Sequence, residues 1–282
     1  MIPTEFDFSR AASVDDAIAR MGQASGGGKF IAGGHSLVPL MKLRLSEPGT
    51  LVDISRIPGL SVIREAVGLI EIGATTTHND IASSKLLRDK CPMIAEAAAE
   101  IGDPQVRNRG TIGGSIAHAD PAADFPAVVL ALDADIVLKG PNGSRTVKAS
   151  AFFRGFYDVD LAHGELIVGI HFTPVKAAAY AKLHQRASHY AIVGVAAALD
   201  VKGGVIQAAR IGITGATTHA MRLSGVEQAL AGKKADGIAA AAASAANEVT
   251  DVSADLHASE DYRRAMIPVF VKRAVEKAFT RA

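Results

Sequence analysis

The sequence Lys29-Phe-Ile-Ala-Gly-Gly-His-Ser-Leu-Val-Pro-Leu-Met-Lys42 places a pair of glycines between two apolar segments. The apolar run before the pair predicts a strand at residues 29–32, and the segment from Ser36 onward predicts a short helix. Gly33 and Gly34 permit unusual φ/ψ angles and can turn successive backbone N–H groups toward one point, an arrangement that holds phosphate. Ordinary tight turns also use adjacent glycines, so this stretch taken alone favours a structural turn.

A second glycine pair lies about eighty residues further along, in Arg109-Gly-Thr-Ile-Gly-Gly-Ser-Ile-Ala-His-Ala-Asp120. It is again flanked by apolar residues, which predicts a second glycine turn, and the hydroxyls of Thr111 and Ser115 add hydrogen-bond donors. Two such turns can hold the pyrophosphate of a dinucleotide between them. Neither stretch reads G-x-G-x-x-G, and the chain has no Walker Gly-Lys-Ser/Thr sequence. The pattern therefore indicates a flavin-binding fold other than the Rossmann fold.

Composition excludes several classes of protein. The 282 residues include 30 Lys plus Arg and 29 Asp plus Glu, so the net charge of +1 provides no global field for nucleic acid or a membrane surface. Cys91 is the only cysteine, which excludes an internal disulfide, a cysteine-ligated zinc site and an iron–sulfur cluster held by this chain alone. The N-terminal residues do not resemble a secretion signal, and no apolar run is long enough for an integral membrane segment. We therefore expect a cytoplasmic protein.

The order of predicted elements indicates an α+β protein of three units. The first, residues 1–57, carries the first glycine pair, and the second, residues 58–175, carries the other. The third, residues 176–282, begins with an antiparallel meander whose hairpin turn is Lys202-Gly-Gly. Predicted strands lie at 29–32, 51–55, 60–64, 69–73, 135–139, 145–148, 165–174, 180–184, 193–201 and 205–214, and predicted helices at 13–21 with Ser13 as N-cap, from Thr77 onward, and at 92–100, 124–132, 225–232, 237–249 and 260–281.

The polar side chains do not form a known catalytic or metal-binding motif. The histidines lack H-x-x-x-H and H-E-x-x-H spacing, so we predict no metal site, and Ser36 lies outside any G-x-S-x-G nucleophile sequence. Ser36 fits a helix N-cap and phosphate donor, whereas His35 fits either a turn residue bonded to the backbone or a cofactor contact. Asp124 fits either a helix N-cap or a ligand of ribose or adenine. Arg107 and Arg109 can pair with Asp103 and Asp120, or one of these arginines can face an anionic cofactor.

With both glycine pairs in view, the sequence resembles the FAD-binding medium subunits of the molybdenum hydroxylases, the family of xanthine dehydrogenase and aerobic carbon monoxide dehydrogenase. The resemblance covers nearly the whole chain and implies a two-part FAD-binding domain of the PCMH or vanillyl-alcohol-oxidase-like type, followed by a C-terminal α+β domain of the carbon monoxide dehydrogenase flavoprotein type. Ser115 departs from the asparagine usual in this family, which alters one side-chain hydrogen bond. The matching segments are Ala32-Gly-Gly-His-Ser-Leu-Val-Pro-Leu-Met-Lys42, Pro104-Gln-Val-Arg-Asn-Arg-Gly-Thr-Ile-Gly-Gly114 and Asp120-Pro-Ala-Ala-Asp124.

The resemblance also implies which residues hold the cofactor. FAD would be the cofactor of this chain, with its pyrophosphate and ribityl chain held by the two glycine stretches and its adenosine side by Asp124. Ile101 and Gly102 would lie beside the flavin, and Tyr190 would cover the isoalloxazine ring. No catalytic or metal-binding residue is implied. Ile167 and Lys182 would also lie near the cofactor, and the residues of the two glycine stretches are Ala32, Gly33, Gly34, His35, Ser36, Leu37, Thr111, Gly113, Gly114 and Ser115.

The same resemblance implies an electron-transfer subunit in a larger assembly. Electrons would come from a large molybdopterin-binding subunit through [2Fe-2S] clusters of a small subunit, and would leave through FAD to NAD, a quinone or oxygen. The assembly would be a dimer of heterotrimers, without nucleic acid. Two alternatives remain open. A stand-alone oxidoreductase of the vanillyl-alcohol-oxidase type would need a substrate pocket with its own acid or base, and a nucleotide-binding module would show no redox turnover.

Overall fold

The computed structural model describes residues 2–282, and its first part is a three-stranded parallel sheet with two helices. The second strand in sequence ends at Ile31, so the chain leaves the carboxyl edge of the sheet directly into Gly33 and Gly34. The first helix begins after Ser13, whose hydroxyl accepts a hydrogen bond from the Asp16 N–H, as predicted. The elements are β1 (Asp7–Arg10), α1 (Val14–Gly22), β2 (Gly28–Ile31), α2 (Leu37–Lys42) and β3 (Thr50–Asp53), in the sheet order β1-β3-β2.

A five-stranded antiparallel sheet and a set of helices form the second part of the chain. Ile94, Ile112 and Phe125 from the helices are fully buried in one cluster with Ile70 and Ile136 from the strands. The elements are β4 (Ile63–Ala66), β5 (Leu69–Gly73), α3 (His78–Ser83), α4 (Lys85–Lys90), α5 (Pro92–Ala99), α6 (Pro104–Arg107), α7 (Ile112–His118), α8 (Asp124–Ala131), β6 (Asp135–Gly140), β7 (Gly143–Lys148), α9 (Ala149–Phe152), the hairpin strands β8 (Phe153–Gly155) and β9 (Asp158–Val159), and β10 (Leu166–Phe172), in the sheet order β4-β5-β10-β6-β7.

The third part is an antiparallel meander, as the sequence predicts. Its hairpin closes where Lys202 pairs with Val205, and Gly203 and Gly204 supply the positive φ angles of the turn. The elements are β11 (Ala178–His184), β12 (Ala191–Lys202), β13 (Val205–Thr214), β14 (Met221–Arg222), α10 (Ser224–Leu230), α11 (Ile238–Ala243) and α12 (Glu260–Phe279), in the sheet order β11-β12-β13-β14. Helix α12 packs against β11 and β12. Within residues 2–282, no helix combines the length and the apolar character needed to cross a membrane.

The second glycine pair begins a helix and is not a turn, so that prediction was wrong. Helix α7 starts after Thr111, whose hydroxyl accepts a hydrogen bond from the Gly114 N–H at 3.2 Å. The predicted loop before it also contains a helix, α6. The carboxylate of Asp103 accepts the Val106 N–H at 2.8 Å and Pro104 occupies the first helical turn, and both are helix-start signals that were overlooked.

Two further elements differ from their predicted bounds. The helix predicted at 237–249 ends early: α11 stops at Ala243 and a 3₁₀ segment follows at Ala245–Glu248, where the Glu248 carboxylate accepts the N–H groups of Gly225 and Val226 and ties this end to α10. The strand predicted at 60–64 begins at Ile63, since the carbonyl of Leu60 accepts the Thr75 N–H outside the sheet ladder.

Candidate functional site

A cavity of about 960 Å³ lies where the three parts of the chain meet. Its walls come from β2 and the first glycine pair, from the starts of α3 and α7, and from the loop that joins β11 to β12. This volume suits an extended small-molecule cofactor. The predicted site residues that line the cavity are Ala32, Gly33, Gly34, His35, Ser36, Leu37, Ile101, Gly102, Thr111, Gly113, Gly114, Ser115, Asp124, Ile167 and Tyr190, and the one that does not is Lys182.

The first glycine pair presents a row of unused backbone donors to this cavity. Within residues 2–282, none of the N–H groups of residues 33–37 donates to a protein acceptor, and the first bond of α2 runs from the Val38 N–H to the Gly34 carbonyl at 3.0 Å. Gly34 has a φ of +70°, which only glycine adopts without strain. Ser36 occupies the predicted N-cap position, but its hydroxyl makes no cap bond and stays available. Such a row of free N–H groups suits an anion such as phosphate.

His35 takes the backbone-bonded role that was one of its two predicted alternatives. Its Nδ1 lies 3.0 Å from the carbonyl oxygen of Gly33, within hydrogen-bond distance, and its ring is exposed. The bond holds the ring beside the turn while the residue also lines the cavity.

The two glycine stretches touch each other at Gly33. A Cβ atom at this position would lie 2.0 Å from the carbonyl oxygen of Arg109 and 3.0 Å from the Cα of Gly110. Both neighbours are backbone atoms, which cannot move aside as a side chain can. Gly33 is therefore required for close packing of the two stretches around one edge of the cavity.

The second stretch does not supply free N–H groups like those of the first. Its Gly113 N–H donates to the Ala74 carbonyl at 2.9 Å, and its Gly114 N–H donates to the Thr111 hydroxyl oxygen. A Cβ at Gly113 would lie 2.6 Å from the Ala74 Cβ, so this glycine serves packing. The hydroxyls of Thr111 and Ser115 are the groups of this stretch that remain available to a ligand.

We expect Thr111→Val to lower the free energy of unfolding by about 1 kcal/mol, because valine keeps the shape of threonine but cannot cap α7. The measurement is denaturant unfolding of the purified chain. Thr111→Ser keeps the hydroxyl and serves as the control, with a smaller loss expected. Equal stability of the valine variant and the wild type would contradict the capping role.

Asp124 is not the predicted helix cap. Ala123 holds that position, and the Asp124 carboxylate is buried, accepting hydrogen bonds from the Tyr180 hydroxyl at 2.6 Å and from the Lys182 ammonium at 3.0 Å. Lys182 also donates to the Glu100 carbonyl at 3.1 Å. Burial raises the pKa of the Asp124 carboxyl, and the Lys182 ammonium beside it opposes that shift. Because Asp124 lines the cavity and Lys182 does not, Lys182 acts by positioning Asp124.

The loop that carries Ile101 and Gly102 is shaped by Arg107. The Arg107 guanidinium donates to the carbonyl oxygens of Ile101 at 3.0 Å and Gly102 at 3.1 Å. Gly102 itself has a φ of +49°. Ion pairs with Asp103 and Asp120 were one of the two alternatives for Arg107 and Arg109, and they are not formed within residues 2–282, where Asp103 caps α6.

Two half-exposed tyrosines, Tyr190 and Tyr157, line the cavity from different loops. Tyr190 was predicted, whereas Tyr157 was missed. The Tyr157 hydroxyl donates to the Asp120 carboxylate at 3.0 Å, and its ring lies 5.1 Å from that of His118. The only sequence feature that could have indicated Tyr157 is its aromatic side chain in the short segment between β8 and β9. Ile167 lines the cavity at the bulge in β10.

His78 also lines the cavity and was missed. Its side chain is buried at the start of α3, and desolvation lowers its pKa to about 4, with smaller contributions from His35 and Arg107. The imidazole is therefore neutral at physiological pH. Sequence inspection could find only a capped helix start here, because the cavity wall is assembled from distant segments.

The lowered pKa of His78 predicts acid sensitivity. Between pH 6.5 and pH 4 the unfolded chain binds a proton at His78 that the folded chain does not. The stability that the folded state has through its neutral His78 is therefore fully present above pH 6.5 and is lost as the pH falls toward 4. From pH 7 to pH 5 we expect His78 to cost the wild type about 2 kcal/mol of stability. Denaturant unfolding at both pH values, compared with His78→Gln, measures this difference. The same pH dependence in both proteins would contradict it.

The fold and the cavity define a dinucleotide-binding protein of an α+β, non-Rossmann class. Residues 4–174 match the family described as the FAD binding domain in molybdopterin dehydrogenase, and residues 178–278 match the CO dehydrogenase flavoprotein C-terminal domain. The chain belongs to this family of FAD-binding medium subunits of molybdenum hydroxylases, which are oxidoreductases. The predicted family, α+β fold class and FAD cofactor are thereby confirmed.

Individual relatives match along the full length of the chain. The carbon monoxide dehydrogenase medium chain of Hydrogenophaga pseudoflava is 43% identical over 285 residues, covering 100% of this chain and 99% of the relative. The 6-hydroxypseudooxynicotine dehydrogenase complex subunit alpha of Paenarthrobacter nicotinovorans is 39% identical, with 100% and 97% covered. Among solved structures, carbon monoxide dehydrogenase from Hydrogenophaga pseudoflava superposes with a TM-score of 0.95 at 43% identity and 100% coverage of both chains. Quinoline 2-oxidoreductase from Pseudomonas putida 86 gives a TM-score of 0.92 at 31% identity, with 99% of both chains covered.

Proposed function

We propose that this chain transfers electrons within a molybdenum-containing hydroxylase or dehydrogenase built from several subunits. A large subunit would oxidise the substrate at its molybdopterin centre, and a small subunit would carry the electrons through [2Fe-2S] clusters. This chain would hold the FAD through which they reach an external acceptor. Support comes from full-length similarity to a medium chain of carbon monoxide dehydrogenase and to a subunit of a dehydrogenase complex.

The observation that carries this proposal is the row of unused N–H groups at residues 33–37 in the cavity wall. These donors and the Ser36 hydroxyl fit the pyrophosphate of FAD, which is the negative part of the cofactor. Bound FAD supplies the redox chemistry, and the protein binds it, orients it and limits its contact with water. The other proposed contacts are the hydroxyls of Thr111 and Ser115 on the pyrophosphate and ribityl chain, Asp124 on the adenosine side, Ile101, Gly102 and Ile167 beside the cofactor, and Tyr190 over the isoalloxazine.

The cysteine content supports a partner that holds the iron–sulfur clusters. Cys91 is the only cysteine of the chain. It is fully buried, and desolvation raises the pKa of its thiol to about 12, so it is an inert core residue. A complex that moves electrons through such clusters must therefore bind them on another subunit. We infer further that the assembly is a dimer of heterotrimers in the cytoplasm, and that this chain divides into domains at residues 57/58 and 175/176.

Removal of FAD from the native complex tests the proposal. A complex isolated through a tag on this chain would be offered carbon monoxide, a purine, an N-heterocycle and an aldehyde in turn. FAD would then be removed from the complex with a chaotropic salt. The substrate that the complex oxidises is expected to keep reducing the iron–sulfur clusters, while electron transfer to the external acceptor stops. Added FAD should restore that transfer.

Two results would contradict the proposal. Unchanged transfer in the FAD-free complex would mean that electrons leave by another route. Oxidation of a substrate by this chain without partners would favour a stand-alone oxidoreductase of the vanillyl-alcohol-oxidase type.

A further inference from the structure

His78 is held firmly against the second glycine stretch. Its backbone N–H donates to the Gly110 carbonyl at 3.0 Å, and the helix that it begins is capped by Thr77. The ring lies 5.2 Å from the ring of Phe125 and so close to Gly110 that a Cβ there would be 2.5 Å from the imidazole Nε2. Only 6% of the residue is exposed. The orientation of this imidazole is therefore fixed by packing on two sides.

The two ring nitrogens of His78 lie in different surroundings. Nδ1 is buried from solvent and has no hydrogen-bond partner. Nε2 is not fully buried, and it too has no protein hydrogen-bond partner within residues 2–282. Since His78 lines the cavity, Nε2 is the nitrogen that a ligand can reach. A buried N–H without an acceptor is rarer in proteins than an acceptor with a spare lone pair. The proton of the neutral ring is therefore placed on Nε2.

We propose that His78 donates a hydrogen bond from Nε2–H to an acceptor atom of FAD, and that this contact contributes to the affinity for the cofactor. The inference rests on the binding of FAD in this cavity. The backbone donors of residues 33–37 come from the first glycine stretch, whereas His78 adds one rigid side-chain donor beside Gly110 of the second stretch. No protein group competes for this donor in the part of the chain that the structure describes.

Three substitutions of His78 distinguish the effect of its N–H donor from the effect of its aromatic ring. His78→Phe keeps a flat ring without any N–H. His78→Gln places an amide N–H₂ near the position of Nε2, and His78→Asn places one near the position of Nδ1. With the purified complex, we expect His78→Phe and His78→Asn to raise the dissociation constant for FAD about tenfold, the usual size for one hydrogen bond. His78→Gln should stay within about threefold of the wild type.

Melting of the FAD-free complexes provides the control for folding. We expect His78→Phe to melt no lower than the wild type without FAD, because it removes the unpaired Nδ1 from the interior. Wild-type affinity in all three variants would overturn the proposal, as would a glutamine variant that binds FAD no better than the asparagine variant. If the wild-type complex itself holds no FAD, the assignment of the cavity fails, and this outcome is distinct from a failure of His78 alone.

Discussion

Gly33→Ala is expected to weaken FAD binding by roughly 10- to 100-fold, because its new Cβ would overlap the backbone of the second glycine stretch. The contact with the Arg109 carbonyl oxygen would be 2.0 Å, well inside van der Waals distance. This overlap can be relieved only if the two glycine stretches separate. Their separation would change the direction in which the N–H groups of residues 33–37 point, and would weaken their contact with an anion. The measurement is the FAD content and the FAD dissociation constant of the purified complex.

Gly22→Ala is the matched control for this substitution. Gly22 is the last residue of α1, where a Cβ would meet no atom within 4 Å. The control variant should keep wild-type FAD content and should melt at or slightly above the wild-type temperature, since alanine favours helix over glycine. Wild-type affinity in Gly33→Ala would refute the close packing of the two stretches.

Lys182→Met is expected to lower the free energy of unfolding by about 3–5 kcal/mol, because it leaves the buried carboxylate of Asp124 without its positive partner. The Lys182 Nζ lies 2.8 Å from Oδ1 of Asp124 and 3.0 Å from its Oδ2, and the Lys182 side chain is fully buried. Tyr180 remains as a hydrogen-bond donor but cannot neutralise the charge. Thermal and denaturant unfolding of the purified chain measure the effect, and FAD affinity should fall with it because Asp124 lines the cavity.

Two further variants make this prediction specific. Lys85→Met removes the lysine of an exposed pair with Asp89, and no measurable loss of stability is expected because such surface pairs contribute little. The double variant Asp124→Asn with Lys182→Met removes both buried charges and should recover part of the loss. Equal effects of Lys182→Met and Lys85→Met would contradict the account of the buried pair.

Much of the fold was predictable because its signals are local. The hairpin at Gly203 and Gly204 connects two long apolar strands, and Ser13 marks a helix start by its own side chain. The second glycine pair was placed in a turn because glycine usually breaks a helix. Thr111 caps this helix, and glycine is needed at position 113 because the residue packs closely against Ala74, which lies far away in sequence.

From residue patterns alone, the candidate site was predictable mainly in its two glycine stretches, whereas Ile101, Gly102, Ile167 and Tyr190 followed only from the family resemblance. The partners of Asp124 are Tyr180 and Lys182 in β11, far from it in sequence, so the sequence alone left a helix cap open as an alternative. Tyr157 and His78 were missed for a similar reason. Each becomes part of the cavity wall only when separate segments assemble, and neither belongs to a motif of fixed spacing.

An absorption spectrum of the native complex, with the released cofactor identified and the subunits separated, tests the central claim most directly. We predict flavin bands from FAD, iron–sulfur absorption, and two further chains that co-purify with this one. A colourless single chain that binds no added FAD would contradict the account, and the free N–H groups of residues 33–37 would then belong to a structural turn.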